Sequence, residues 1–317
     1  MRVLVALLIL VSAEALLRVY HQRRLRQALP AELRAEARDL TWNDIRDKFR
    51  IVCLGDSITF GEDLSSAQAY PAVLAQLVAQ SRPELDAVVI NSGIRGQTSV
   101  EELVCLERDV LWYKPQVVVE SFGINDARLG LWPLDPLRER EVCGDNSLLG
   151  RIEPLLRRSH VWLTLRARGR RILRGLGLAS DPTVPTGPAL PRVSPRGFRM
   201  AQQQLITRIQ RAGAVVLGLT MTPTGEALVL ESEAIDRPQQ LALYAEYDQI
   251  TRDVTASLKA HLLDVTVALA KRVSTEPATL LAPDGVHLTA AGQRLLAECI
   301  MQALENEGLL GSQAAGR

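Results

Sequence analysis

Three short apolar runs, Ile51-Val52-Cys53-Leu54, Val88-Val89-Ile90 and Val117-Val118-Val119, each break off in a polar loop that carries glycine. Uniformly apolar runs of this length, bounded by turn residues, are the mark of strands buried on both faces. Residues 214–219 read as a fourth strand and residues 261–265 as a fifth. Helical periodicity fills the intervals over residues 68–80, 99–112, 195–211, 238–260 and 289–306, with Gly213 stopping the third of these and Thr289 as N-cap of the last. Such alternation predicts an α/β fold, a parallel sheet with helices on both faces. Open sheets of this kind hold their ligands beyond the carboxyl ends of the strands. The loops at those ends are therefore where chemistry is expected.

The first of them reads Gly55-Asp56-Ser57-Ile58-Thr59-Phe60-Gly61. A serine at a strand end is a candidate nucleophile if a base and an oxyanion site lie elsewhere in the chain. Of the four histidines, His21 lies in a basic stretch, His160 in an arginine-rich segment and His261 near the end of a helical pattern. Only His287 combines a loop setting with an acid three residues before it, Asp284. That acid is placed to hold the imidazole in one tautomer and to stabilise the imidazolium formed when Ser57 loses its proton. A loop Asp beside a loop His is, on its own, more often a satisfied polar pair than a catalytic one. Its weight comes from the Gly-Asp-Ser loop.

The second and third strands end in Asn91-Ser92-Gly93-Ile94-Arg95-Gly96 and Ser121-Phe122-Gly123-Ile124-Asn125-Asp126. A tetrahedral intermediate needs donors aimed at one developing oxyanion. The expected donors are the backbone N–H of Ser57, the backbone N–H of Gly93 and the side-chain amide of Asn125. The bland alternative gives Gly93 and Asn125 only a role in turn geometry.

These blocks resemble those of the SGNH hydrolases, also called the GDSL esterase/lipase family. Gly55-Asp56-Ser57 with Thr59 and Gly61 matches the nucleophile block, and Gly93 the glycine block. Gly123-x-Asn125-Asp126 matches the asparagine block, and Asp284-x-x-His287 the acid–base block. The resemblance spans residues 50–304 with a divergent middle. It implies a three-layer α/β/α flavodoxin-like sandwich with a five-stranded parallel sheet in the order 2-1-3-4-5. It also implies ester chemistry without a metal or organic cofactor, and Gly55, Asp56, Gly123 and Asp126 as supporting residues.

A formal net charge of +1 and 4% aromatic residues argue against a dedicated nucleic-acid binder. The four cysteines, Cys53, Cys105, Cys143 and Cys299, show no metal-ligand spacing. Cys53, Cys105 and Cys299 read as buried small hydrophobes and Cys143, in a loop-like stretch, as the candidate exposed thiol.

Residues 1–20 read as a hydrophobic segment, a signal or an anchor. An uncleaved anchor is favoured over a cleaved signal, with Ala13-Glu14-Ala15 as the cleavage site, and over an amphipathic soluble helix. The arginines at 18, 23, 24 and 26 favour a cytoplasmic flank. The export-like start favours a membrane-anchored enzyme on the extracytoplasmic, periplasmic side. Residues 21–49 read as a charged helical linker whose Trp42, Ile45 and Phe49 share one face and dock on the catalytic domain, residues 50–308. Within that domain residues 129–192 form a proline-rich helical or irregular insertion, expected to overhang the active site. Its basic stretch, residues 157–178, is either a helix packed on the enzyme or one that lies on anionic lipid. Residues 309–317 read as a flexible tail. Together these features describe a membrane-tethered serine esterase acting on a small-molecule, lipid or glycan ester. Acyl transfer to a glycan or lipid acceptor is the alternative, and a non-catalytic envelope binding protein the remote one.

Overall fold

The computed structural model describes residues 42–130, 189–221, 228, 230 and 235–311. All of them belong to the unit formed by residues 32–142 and 189–317. Its centre is a five-stranded parallel sheet: β1 (Phe49–Gly55), β2 (Ala87–Gly93), β3 (Val117–Ser121), β4 (Val215–Leu219) and β5 (His261–Leu263). The strands lie in the order β2-β1-β3-β4-β5, as the family resemblance implies.

Register decides where the loops emerge. Gly55 at the end of β1 stands opposite Gly93 of β2 on one side and Ser121 of β3 on the other. Three of the four blocks therefore leave the sheet from one row. The alternation of side chains along the strands explains the layers. Val52, Leu54, Ile90, Val118 and Val216 face one apolar core, closed by α2 (Ser99–Asp109), α3 (Pro195–Arg211) and α4 (Arg237–Ser257). Ile51, Cys53, Val117, Val119 and Leu217 face the other, closed by α1 (Tyr70–Ser81), α5 (Val265–Thr275) and α6 (Ala290–Asn306). Thr98 and Thr289 cap α2 and α6, the latter by accepting Gly292 N–H at 3.2 Å. Cys53 is fully buried, whereas Cys105 on α2 and Cys299 on α6 are only partly so.

Several expectations need correction. The second predicted helix stops at Asp109, and a 3-10 turn, Leu111–Tyr113, follows it. The fifth strand ends at Leu263, because Asp264 caps α5 by accepting Val267 N–H at 3.2 Å, and α5 is a helix absent from the sequence expectation. Of the three docking residues, Ile45 is buried at the end of a short helix, Trp42–Ile45, while Phe49 opens β1. Trp42 meets Trp112 edge to face at 6.4 Å. Leu309 and Leu310 are buried in the core rather than part of a tail. His261 opens β5 and pairs with Glu307 at 2.9 Å. The hydrophobic segment of residues 1–20, the linker up to residue 41, the basic stretch, His21, His160 and Cys143 lie outside the described residues. Among the described residues no helix is long and apolar enough to cross a membrane.

One buried amide ties the closing helix to the serine loop. Gln293 on α6 accepts Tyr70 N–H at 2.8 Å and donates to Ile58 C=O at 2.8 Å. Gln293→Ala leaves both backbone groups without these partners in the interior. Each orphaned group costs about 1–3 kcal/mol, so we expect a loss of roughly 2–6 kcal/mol, read from the urea midpoint.

Candidate active site

Ser57 begins a single helical turn, Ser57–Phe60, directly after β1. Asp56 caps it, its Oδ1 accepting Ile58 N–H at 2.9 Å, and Gly61 N–H closes it on Ser57 C=O at 3.0 Å. Ser57 is thus held at the carboxyl edge of the sheet.

His287 arrives from the far end of the chain. Its loop is pinned by a bridge between Leu281 and Leu288, by Ala282 N–H on His287 C=O at 2.7 Å and by Thr289 N–H on Leu280 C=O at 3.0 Å. Nε2 of His287 lies 2.8 Å from Ser57 Oγ, and Nδ1 lies 2.5 Å from Asp284 Oδ2. Asp284 Oδ1 accepts the N–H groups of Val286 and His287 at 2.9 and 3.0 Å. Partial burial pushes the Asp284 carboxyl up, but the imidazole and these backbone donors outweigh it and hold it below the usual carboxylate range. An ionised carboxylate only accepts, so it selects the Nδ1–H tautomer and leaves the Nε2 lone pair facing the hydroxyl.

The three expected oxyanion donors fare differently. Ser57 and Asn125 line a cleft of about 210 Å³, together with His287 and Gly96. Gly93 does not line it. Its N–H donates to Asn91 Oδ1 at 2.9 Å, and a Cβ built on it would stand 2.2 Å from Phe60 N. Gly93 is a seat for the serine turn, and the glycine of this segment that lines the cleft is Gly96. Residues Ile94-Arg95-Gly96-Gln97 form a β-turn closed by Gln97 N–H on Ile94 C=O at 3.2 Å. Gly96 has φ +68° and Arg95 has no positive φ, which is a type II turn with glycine where that turn requires it. The signal available in the sequence was the second glycine of N-x-G-x-x-G, two residues before the cap of α2.

Asn125 sits on the short helix Ile124–Ala127, begun by Gly123. Its Nδ2 donates to Asp56 Oδ2 and to Gln97 C=O, both at 3.1 Å, so the amide is oriented by two of the other blocks. Asp126 accepts the Ser99 hydroxyl at 2.6 Å and Ser99 N–H at 3.1 Å, fastening α2 to the same corner. The rest of the cleft wall is apolar through Ile124, Leu228, Tyr244 and Val286 and charged through Glu62, Arg95 and Arg128. Among the described residues no cluster of histidines, cysteines and acids is arranged to hold a metal.

Behind this corner lie three buried acids. Burial is the main cause that raises all three: Asp56 to about 6, Asp126 to about 7 and Glu120 to about 8. The Asp56 charge raises the other two further, and Asp126 also raises Glu120. Donors at Ile58 and Asn125 and the charge of His287 moderate Asp56, and Ser99 and Arg192 moderate Asp126. Glu120 on β3 receives Gln202 Nε2 of α3 at 2.8 Å, yet Glu120 Oε2 and Gln202 Oε1 are both buried without a partner. Burial and the missing partner at Oε2 both favour the protonated form of Glu120.

The sign follows from proton counting. All three acids bind protons more tightly folded than unfolded, so stability falls as pH rises from the unfolded carboxylate range through the folded values. Glu120→Gln keeps the shape and removes one of these protons. We expect it to be more stable than the parent at pH 8, by a margin that shrinks on the order of 1.4 kcal/mol per pH unit and vanishes near pH 4.5. Denaturant midpoints at pH 5, 6.5 and 8 measure this; parallel curves for parent and variant would show an ionised Glu120.

Solved structures share this architecture. An alpha/beta hydrolase enzyme from the metagenome of Lake Arreo, Spain, is 22% identical with a TM-score of 0.53, over 83% of this chain and 96% of that one. The lipase/acylhydrolase from Enterococcus faecalis is 20% identical with a TM-score of 0.52, over 81% and 96%. An acetylxylan esterase from Geobacillus stearothermophilus is 18% identical with a TM-score of 0.52, over 80% and 93%. These likenesses carry the fold. No curated protein matches the sequence. The GDSL-like lipase/acylhydrolase family model matches residues 53–295, from the buried strand before Ser57 to the helix after His287, and the chain belongs to that family of ester-bond hydrolases.

Proposed function

We propose that the protein is a serine esterase working through an acyl-enzyme. Ser57 Oγ attacks the ester carbonyl, and His287 Nε2 takes its proton and passes it to the leaving alcohol. Asp284 orients the imidazole and stabilises its charged form. Water then attacks the acyl-enzyme, with His287 as base again, and Ser57 is released. The oxyanion is held by the N–H groups of Ser57 and Gly96 and by Asn125 Nδ2. For Asn125 to donate, one of its two bonds, to Asp56 or to Gln97, must be shared with the substrate oxygen. The observation that carries this reading is the continuous relay Asp284–His287–Ser57, at 2.5 and 2.8 Å, opening into the cleft.

The substrate is an ester of a short acyl group. A cleft of about 210 Å³ lies below the roughly 300–1,000 Å³ typical of sites for drug-sized ligands. A short acyl group is also what the name of the Geobacillus acetylxylan esterase describes. Ser57→Ala should remove more than 99% of the hydrolysis of a short-chain p-nitrophenyl ester, a barrier increase above ~3 kcal/mol, and abolish labelling by a fluorophosphonate probe. Retained turnover or labelling would place the nucleophile elsewhere.

We further propose that residues 1–20 anchor the enzyme at a membrane, with the catalytic domain on the extracytoplasmic side. The apolar run of residues 3–13 supports this reading. Because every residue of the relay lies beyond Gly55, deletion of residues 1–26 should yield a fully active enzyme in the supernatant after ultracentrifugation. A truncated protein that still pellets with membranes would assign the attachment to another surface.

A further inference from the structure

We propose that Arg95 is a positioning residue: paired with Glu62 and stacked on Phe60, it locks the turn that carries Ser57 to the turn that carries Gly96. The proposal rests on the reading of Ser57 as nucleophile and of the Ser57 and Gly96 N–H groups as oxyanion donors.

Arg95 immediately precedes Gly96. Glu62 follows the serine turn, its N–H bonded to Ser57 C=O at 3.1 Å. Arg95 Nε lies 2.7 Å from Glu62 Oε2, and the guanidinium carbon lies 4.8 Å from the centre of the Phe60 ring. Both atoms are shielded from solvent and neither has a hydrogen-bond partner, so the contact between them is an ion pair. Asp63, largely exposed, stands 3.9 Å from the outer nitrogen. Three other links join the two segments nearer the sheet. Ile94 N–H meets Gly55 C=O at 3.0 Å, Asn91 Nδ2 meets Phe60 C=O at 3.4 Å, and Gly93 seats the Phe60 backbone. They fix the bases of the two turns, and the arginine ties their tips.

That tie matters because the two N–H donors come from different turns and must converge on one oxygen. A site of this kind needs its groups within about 0.5 Å of the productive geometry. The pairing also has an electrostatic side. Glu62 and Arg95 both line the cleft in which negative charge develops. Arg95 cancels a carboxylate that would otherwise repel the oxyanion, and a partly buried ion cut off from its partner is costly. A guanidinium suits the task because it pairs with the carboxylate and lies over the ring at once.

The test uses the full chain, a small neutral ester and four variants: Arg95→Ala, Arg95→Lys, Glu62→Gln and the double Arg95→Ala/Glu62→Gln. Arg95→Ala should lower kcat about 10–100-fold with KM within about twofold, as a misplacement of donors does. Arg95→Lys, which keeps the charge but not the planar stack, should fall between it and the parent. The double variant should be no slower than Arg95→Ala alone, since both changes break one coupled pair. Melting temperatures identify any variant that fails to fold, and Arg95→Lys and Glu62→Gln then carry the comparison. A rise in KM at unchanged kcat would make Arg95 a substrate-binding residue and overturn the proposal. So would single losses that multiply in the double variant, or a parent rate in Arg95→Ala. A parent enzyme that the fluorophosphonate does not label would overturn the reading of Ser57 itself, whereas a labelled parent with an unaffected Arg95→Ala overturns only the clasp.

Discussion

Parallel register is the constraint on which the rest depends. A parallel sheet brings the carboxyl ends of its strands to one edge, and the pairing of Gly55 with both Gly93 and Ser121 puts three of those ends in a single row. A slip of one residue in either pair would turn every apolar side chain of a doubly buried strand toward the opposite core. The two cores therefore hold the register, and the register holds the blocks together. The acid–base loop is the one block that does not leave a strand of this row. It is brought in by α6, whose Gln293 bonds both the start of α1 and the serine turn.

Much of this was legible because it depends on local composition. Apolar runs mark the first three strands, and the loops after two of them carry Ser57 and Asn125. What was not legible depends on contacts between distant segments. Gly93 ends β2 and Gly96 lies three residues on, and nothing local separates a glycine that admits a neighbouring backbone from one that turns the chain. The Phe60 backbone against Gly93 and the positive φ of Gly96 make the distinction. The expected fifth strand is two residues too long because Val265 is apolar in either setting, and only the Asp264 cap ends it. Leu309 and Leu310 look like the start of a tail until the core beneath them is seen.

The site also illustrates a conflict between function and stability. Asp56, Asp126 and Glu120 are fully buried within one corner, and the described bonds to them come largely from neutral donors. Removing acids from water disfavours their ionised forms, so this corner is held at the expense of the fold as pH rises. In return Asp56 and Asp126 anchor the serine turn, the Asn125 amide and the start of α2 through short bonds. Precision at the edge of the sheet is obtained from groups that a core optimised for stability would exclude.

Beyond Asn125 the chain runs into a two-residue antiparallel ladder, Leu129–Gly130 with Leu190–Pro191, extended by Arg192 N–H on Arg128 C=O and Val193 N–H on Asp126 C=O. The points where residues 131–188 depart and return are thus hydrogen-bonded neighbours. The entropy of closing a loop between fixed, adjacent ends grows only with the logarithm of its length. Whatever is spliced between these ends, short or long, puts little tension on the Asn125 corner. A change in the length between them therefore leaves the Ser57, Asn125 and His287 geometry where the sheet and its ladder set it.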